Sequence, residues 1–192
     1  MAIKYTFEES LVARQNKAEK EMLTELENGN YTWDNPLVKL NPYFINPLSA
    51  VVLFKTEEEI AVTITVHGKE PEGTIQHTFP KSKTHVLPVL GLYADYENTV
   101  DIELYRSHKH TITIQTGPLP EDVPTLIKME TTHSYLRDEM IFVSPALTDL
   151  ATAFDYKGDV RWHINIPTVF DIKRLKNGNI LIGSHRLLKI PY

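Results

Sequence analysis

The chain has 192 residues, 42% of them hydrophobic and 23% charged, a composition that supports a buried core and excludes an intrinsically disordered polymer. A net charge of -5 and a pI near 5.9 leave no basic footprint for nucleic acid or an anionic membrane surface, so neither is expected as a partner. With no cysteine, disulfides, thiolate catalysis and Cys-ligated zinc are excluded within these residues.

Met1 to Glu9 have neither the apolar run nor the small-residue cleavage site of a signal peptide, so the chain as written is expected in the cytoplasm. If a leader has been removed, a periplasmic or extracellular location is expected instead. Thr6-Phe7-Glu8-Glu9 fits a capping box and predicts a helix over 7–28 that ends at Gly29. Phe7, Leu11, Ala18, Met22 and Leu26 form its apolar stripe. With Gln15 in the middle, that stripe is narrow, suited to packing on a neighbouring element or a second subunit.

From Asn35 onward the apolar residues alternate, which is the period of a strand. Ile60, Val62, Ile64 and Val66 point to one side, and Ala61, Thr63 and Thr65 to the other. Residues 100–104 and 111–114 repeat the pattern, with Ser107-His108-Lys109-His110 read as the hairpin connection between them. Shorter strands are predicted at 50–54, 74–79 and 84–89. Several short strands separated by turn signals predict an antiparallel β-sandwich over 35–117. Gly117-Pro118-Leu119-Pro120-Glu121-Asp122-Val123-Pro124 then reads as a linker, since prolines withhold backbone donors.

Beyond the linker, Ala151-Thr152-Ala153-Phe154 and Val160-Arg161-Trp162-His163-Ile164 flank an Asp155-Tyr156-Lys157-Gly158-Asp159 turn. Asp171 to Leu175 and Ile180 to Gly183 flank Lys176-Asn177-Gly178-Asn179, an Asn-Gly hairpin. Paired hairpins of this kind write the blades of a β-propeller. The fold expected is therefore mainly β: an N-terminal helix and connection at 1–34, the sandwich at 35–117, and at 118–192 a linker and the incomplete start of a propeller.

Chemistry-bearing patterns are sparse. Of eight histidines, at 67, 77, 85, 108, 110, 133, 163 and 185, only His108 and His110 have local ligand spacing, and a solvent-facing turn is the better reading for them. No metal site or cofactor is expected. Glycine-rich phosphate loops and the nucleophile elbow of serine hydrolases are absent. Leu90-Gly91-Leu92-Tyr93-Ala94-Asp95-Tyr96-Glu97-Asn98 could line a recognition edge, but its tyrosines fit better as anchors of the loop against the sandwich. Arg161-Trp162 is expected to pack inside its hairpin.

Asn46-Pro47-Leu48-Ser49-Ala50, Val62-Thr63-Ile64-Thr65-Val66-His67-Gly68-Lys69 and Pro88-Val89-Leu90-Gly91-Leu92-Tyr93-Ala94-Asp95-Tyr96, in this order, resemble the N-terminal domain of the arylsulfate sulfotransferases. Phe154-Asp155-Tyr156-Lys157-Gly158-Asp159-Val160-Arg161-Trp162 and Leu175-Lys176-Asn177-Gly178-Asn179-Ile180-Leu181 resemble the opening hairpins of that family's propeller. The resemblance covers about residues 36–192 and leaves the helix unexplained. It implies a sandwich joined to a six-bladed propeller, commonly in a homo-oligomer, that moves a sulfuryl group from a phenolic sulfate donor to a phenol acceptor through a sulfated histidine. The family's catalytic histidines lie in later blades, so no catalytic residue is assigned and these residues alone are expected to be inactive. Tyr93 is the positional match for a tyrosine near the family's active-site mouth. The alternative reading is a non-enzymatic β module that binds a partner through its edge strands. A carbohydrate-binding sandwich is a third, and would need an aromatic platform.

Overall fold

The computed structural model describes residues 10–104, 108–125, 127, 128, 130, 140–144, 150–165, 168–175 and 180–184. Helix α1, Leu11–Asn28, starts at Ser10, whose hydroxyl accepts a hydrogen bond from the Ala13 amide, and ends where the Gly29 amide donates to the Glu25 carbonyl. The expected capping box at Thr6 to Glu9 lies outside the described residues. Met22 and Leu26, the last two apolar residues of the stripe, are the ones that become buried. They pack with Leu37, Val51 and Leu53, so the helix covers a face of this chain's own sheet.

That sheet has five antiparallel strands. Strand β1 is Leu37–Leu40, β2 Ser49–Val66, β3 Ile75–Leu90, β4 Glu97–Leu104 and β5 His108–Gln115. Strand β3 pairs along one edge of β2; β1 takes residues 50–53 of the other edge and β4 takes 62–66, with β5 outside β4. The short strands expected at 50–54 and 60–66 are two halves of β2, and those at 74–79 and 84–89 are two halves of β3. Register shifts between Lys55 and Val62 bend the pair without breaking it. Ala50, Val52 and Phe54 from one half and Val62, Ile64 and Val66 from the other join a single core with Leu87, Val89, Val100, Ile102 and Ile114. The sandwich is thus built by one sheet curling over its own inner face.

The two halves of β2 differ in sequence because they differ in cover. In the first half α1 buries the outer side chains Val51 and Leu53, and the run Ala50-Val51-Val52-Leu53-Phe54 is apolar without interruption. In the second half the outer side chains are Thr63 and Thr65, which bond Thr78 and Gln76 at the surface, and alternation appears. The outer edge of β3 carries Pro80, Pro88, Lys81 and Lys83, residues that discourage a further strand from adding.

His108, Lys109 and His110 belong to strand β5, opposite Leu104, Glu103 and Ile102, and not to the hairpin connection expected from sequence. The rings of both histidines meet the edge of Trp33, at 5.7 and 6.2 Å between centroids. Among the described residues no group of acids and histidines is placed to hold a metal.

Past residue 117, β6 (Ile141–Val143), β7 (Thr152–Phe154) and β8 (Val160–His163) form a three-stranded antiparallel sheet in that order. Strands β9 (Thr168–Arg174) and β10 (Ile180–Ser184) form a separate two-stranded sheet. Both expected hairpins are present, but they fall in different sheets, and the first is extended by β6. The Asn-Gly connection at 176–179 lies outside the described residues. No described helix is long and apolar enough to cross a membrane.

Candidate functional site

Three connections meet at one end of the curled sheet. The first joins β2 to β3 through a single 3-10 turn, Pro71–Gly73, closed by the Gly73 amide on the Glu70 carbonyl. The second follows β3: Gly91 sits at φ +79, a left-handed conformation that only glycine adopts cheaply, and turns the chain into Leu92 and Tyr93. Buried Asn98 holds this loop in shape. Its carboxamide oxygen accepts from the Tyr93 amide at 2.7 Å, and its nitrogen donates to the Tyr93 and Tyr96 carbonyls at 3.1 and 3.0 Å.

The third connection is the β7–β8 turn. One oxygen of Asp155 accepts from the Lys157 and Asp159 amides at 3.0 and 3.1 Å, while Gly158 takes φ +89 to close the turn. The other oxygen faces the first two loops. Arg161, 1% exposed, reaches across from β8 to bind all three connections. Its Nε donates to the Gly91 carbonyl at 2.8 Å, and its Nη1 lies 2.9 Å from the Gly73 carbonyl, 2.8 Å from the Tyr93 hydroxyl and 3.1 Å from Asp155. The guanidinium also stacks on the Tyr93 ring, 3.8 Å from its centroid. The Tyr93 hydroxyl, for its part, accepts from the Lys69 amide at 3.2 Å and donates to Asp155 at 3.4 Å. Burial pushes the Tyr93 phenol up from its ordinary pKa, so it remains a neutral donor.

Above this buried node lies a polar rim. Lys69 pairs with Asp159 at 2.8 Å and sits 4.7 Å over the Tyr93 ring; Glu70 pairs with Lys157 at 3.3 Å and accepts from the Tyr156 hydroxyl at 2.9 Å. Desolvation and the neighbouring Glu70 carboxylate push Tyr156 up to about 12. Together with Gly73, Tyr93 and Asp155 these side chains line a cavity of about 240 Å³. Both lysines in it are already neutralised by acids.

Four buried polar atoms have no hydrogen-bond partner among the described residues: Arg161 Nη2, Thr152 Oγ1 and both ring nitrogens of His163. Thr152 and His163 stand directly opposite each other on β7 and β8. Burial holds His163 below the ordinary histidine range, against weaker opposing influences of Asn165 and Asp122, and so keeps the ring neutral.

The structure thus places Tyr93 inside the junction, while Tyr96 meets it edge-on at 5.5 Å and stays partly exposed. Arg161 keeps one contact within its own hairpin, to Asp155, and makes the others outside it, not packing wholly inside as expected. Its other hydrogen bonds reach the sandwich, and Trp162 meets Phe142 of β6 on the opposite face. No local signal announced this, because two of the acceptors of Arg161 are backbone carbonyls at positions 73 and 91. The six described histidines are dispersed: His67 and Asp101 bond each other, His77 packs on Phe79, His85 stacks on Phe54, His108 and His110 flank Trp33, and His163 is enclosed. They do not gather at one site.

Two family models match separate stretches of the chain. Residues 37–117 match the model of an arylsulfotransferase Ig-like domain, and residues 125–190 match that of the arylsulfotransferases themselves. No curated protein matches the chain.

Proposed function

Because the chain belongs to the arylsulfotransferase family, we propose that its residues build the Ig-like domain and its seat on a propeller whose later blades move a sulfuryl group from a phenolic sulfate ester to a phenol. In the first step an imidazole nitrogen attacks sulfur, the bond from sulfur to the aryl oxygen breaks with its electrons going to oxygen, and a phenolate leaves and takes a proton from solvent. In the second the acceptor phenol gives its proton to solvent as its oxygen attacks the same sulfur, the N–S bond breaks, and the imidazole is regenerated. Splitting the displacement in two lowers each barrier, provided that fixed cations and N–H donors meet the charge on the sulfuryl oxygens.

The observation that carries this division of labour is Arg161. A residue of the second matched stretch is buried against two loops of the first, and its Nε and Nη1 are spent on holding the two together. Tyr93 lines the cavity beside the node, which supports a place near a substrate entrance. Its hydroxyl, accepting from Arg161 and the Lys69 amide and donating to Asp155, has its hydrogen-bonding positions filled within the junction. The purified 192-residue chain is expected to transfer no sulfuryl group from p-nitrophenyl sulfate to phenol. Release of p-nitrophenol that depends on phenol and saturates with donor would overturn this reading.

A further inference from the structure

We propose that the Ig-like stretch is the template that sets the first hairpin of the sulfotransferase stretch, the two forming one cooperative folding unit. Their hydrophobic core is shared. Phe154 and Val160, on either side of the β7–β8 turn, are 3% and 8% exposed and belong to the cluster that contains Leu48, Val66 and Leu92 of the curled sheet. The three-stranded sheet they come from has strands of three, three and four residues, too little to be stable in water without a partner. What stabilises it is the end of the sandwich.

The hairpin is pinned at two places. Arg161 ties the turn end to the Gly73 and Gly91 carbonyls, and past the other end of β8 the Asn165 amide donates to the Ile45 carbonyl at 2.8 Å. The seat is also shaped for it. A Cβ on Gly73 would lie 2.6 Å from the Tyr93 hydroxyl and 3.3 Å from Arg161 Nη1, and one on Gly91 would lie 2.3 Å from Ile75 Cδ1. The Gly73 loop therefore has no room for a side chain beside the Tyr93 hydroxyl and the guanidinium, and the Gly91 loop has none beside Ile75. An element held by its core residues and at both ends has a fixed orientation, and whatever sheets follow it inherit that orientation. In this the inference rests on the family reading above.

The test is native-state amide hydrogen exchange on the whole 192-residue chain. In the unmodified protein the amides of β7 and β8 are expected to share the opening equilibrium of the slowest amides of β2 and β4 to within about threefold. Arg161→Met should lower protection in both sets by the same factor, roughly tenfold to a hundredfold, because it takes the buried cation from Asp155, which keeps only its bonds from the Lys157 and Asp159 amides and the Tyr93 hydroxyl. Exchange in β7 and β8 far faster than in β2 and β4, or a variant that frees only the hairpin, would overturn the proposal. If Arg161→Met does not fold, the comparison within the unmodified chain decides alone. Sulfuryl transfer by the chain would defeat the proposed division of labour and leave the exchange result standing, so the two failures are distinguishable.

Discussion

Asp101 and Arg161 are both charged side chains withdrawn from water, and they are neutralised in opposite ways. Asp101, on β4, is met by Lys109 at 2.7 Å, Thr111 at 2.6 Å and His67, and the side chains of Lys109 and His67 are themselves 56% and 42% exposed. Its partners are flexible arms reaching in from the surface, and water can replace any of them. Arg161 is met by two backbone carbonyls, a buried phenol and a buried carboxylate. Nothing can replace those without moving the loops. The first arrangement is a local adaptation of one sheet; the second commits two parts of the chain to a single geometry.

The largest effect expected from breaking this contrast is at Tyr93. Tyr93→Phe keeps the ring under the guanidinium but removes the hydroxyl that accepts from Arg161 and the Lys69 amide and donates to Asp155. Loss of hydrogen bonds to charged groups in a buried site predicts a destabilisation of about 2 kcal/mol, read as a lower urea midpoint at unchanged m-value. An unchanged midpoint would mean that the node is not closed.

A smaller effect is expected at Asp101, and it should depend on pH. Burial pulls its carboxyl up, but hydrogen bonds from Lys109, Thr111 and His67 outweigh burial and hold it below the ordinary aspartate value. A carboxyl depressed in the folded state contributes stability above its unfolded pKa and loses it as pH falls through the folded value. Below about pH 4 the native chain should therefore lose about 1 kcal/mol that Asp101→Asn does not lose, measured as converging urea midpoints. His85 and His163, lowered by burial, add an acid loss that begins in the ordinary histidine range. That loss is common to both proteins and cancels in the comparison. Midpoints that stay parallel to pH 3 would show that Asp101 is already compensated by water.

The contrast also marks how far the sequence could be read. Alternation at Ile60 to Val66 and the Asp-x-x-Gly turn at Asp155 are local rules, and each yielded the right element. The union of 50–54 with 60–66 was hidden because bulges shift the register inside one strand. Met22 and Leu26 belonged to the expected stripe, but that the burial falls on them, and what they cover, depends on β2 and could not be inferred from the helix itself. At the junction, Tyr93 was named as a loop anchor and through resemblance, while Gly91 was only part of the same stretch. Arg161 was expected to stay within its hairpin, because a side chain whose acceptors are carbonyls 70 and 88 positions away leaves no pattern nearby.

The smallest effect should come from the rim. Lys69→Gln removes the pair with Asp159, but both side chains are about a third or more exposed and the charge is shared with water. Such a pair is worth a few tenths of a kcal/mol at low salt and less as ionic strength rises. The variant should thus match the unmodified chain in urea at 1 M sodium chloride and fall only slightly below it at low salt. If it instead loses about as much as Tyr93→Phe, and the loss survives high salt, then the hairpin is held to the sandwich from the surface inward. The buried guanidinium would then be a consequence of docking and not its cause.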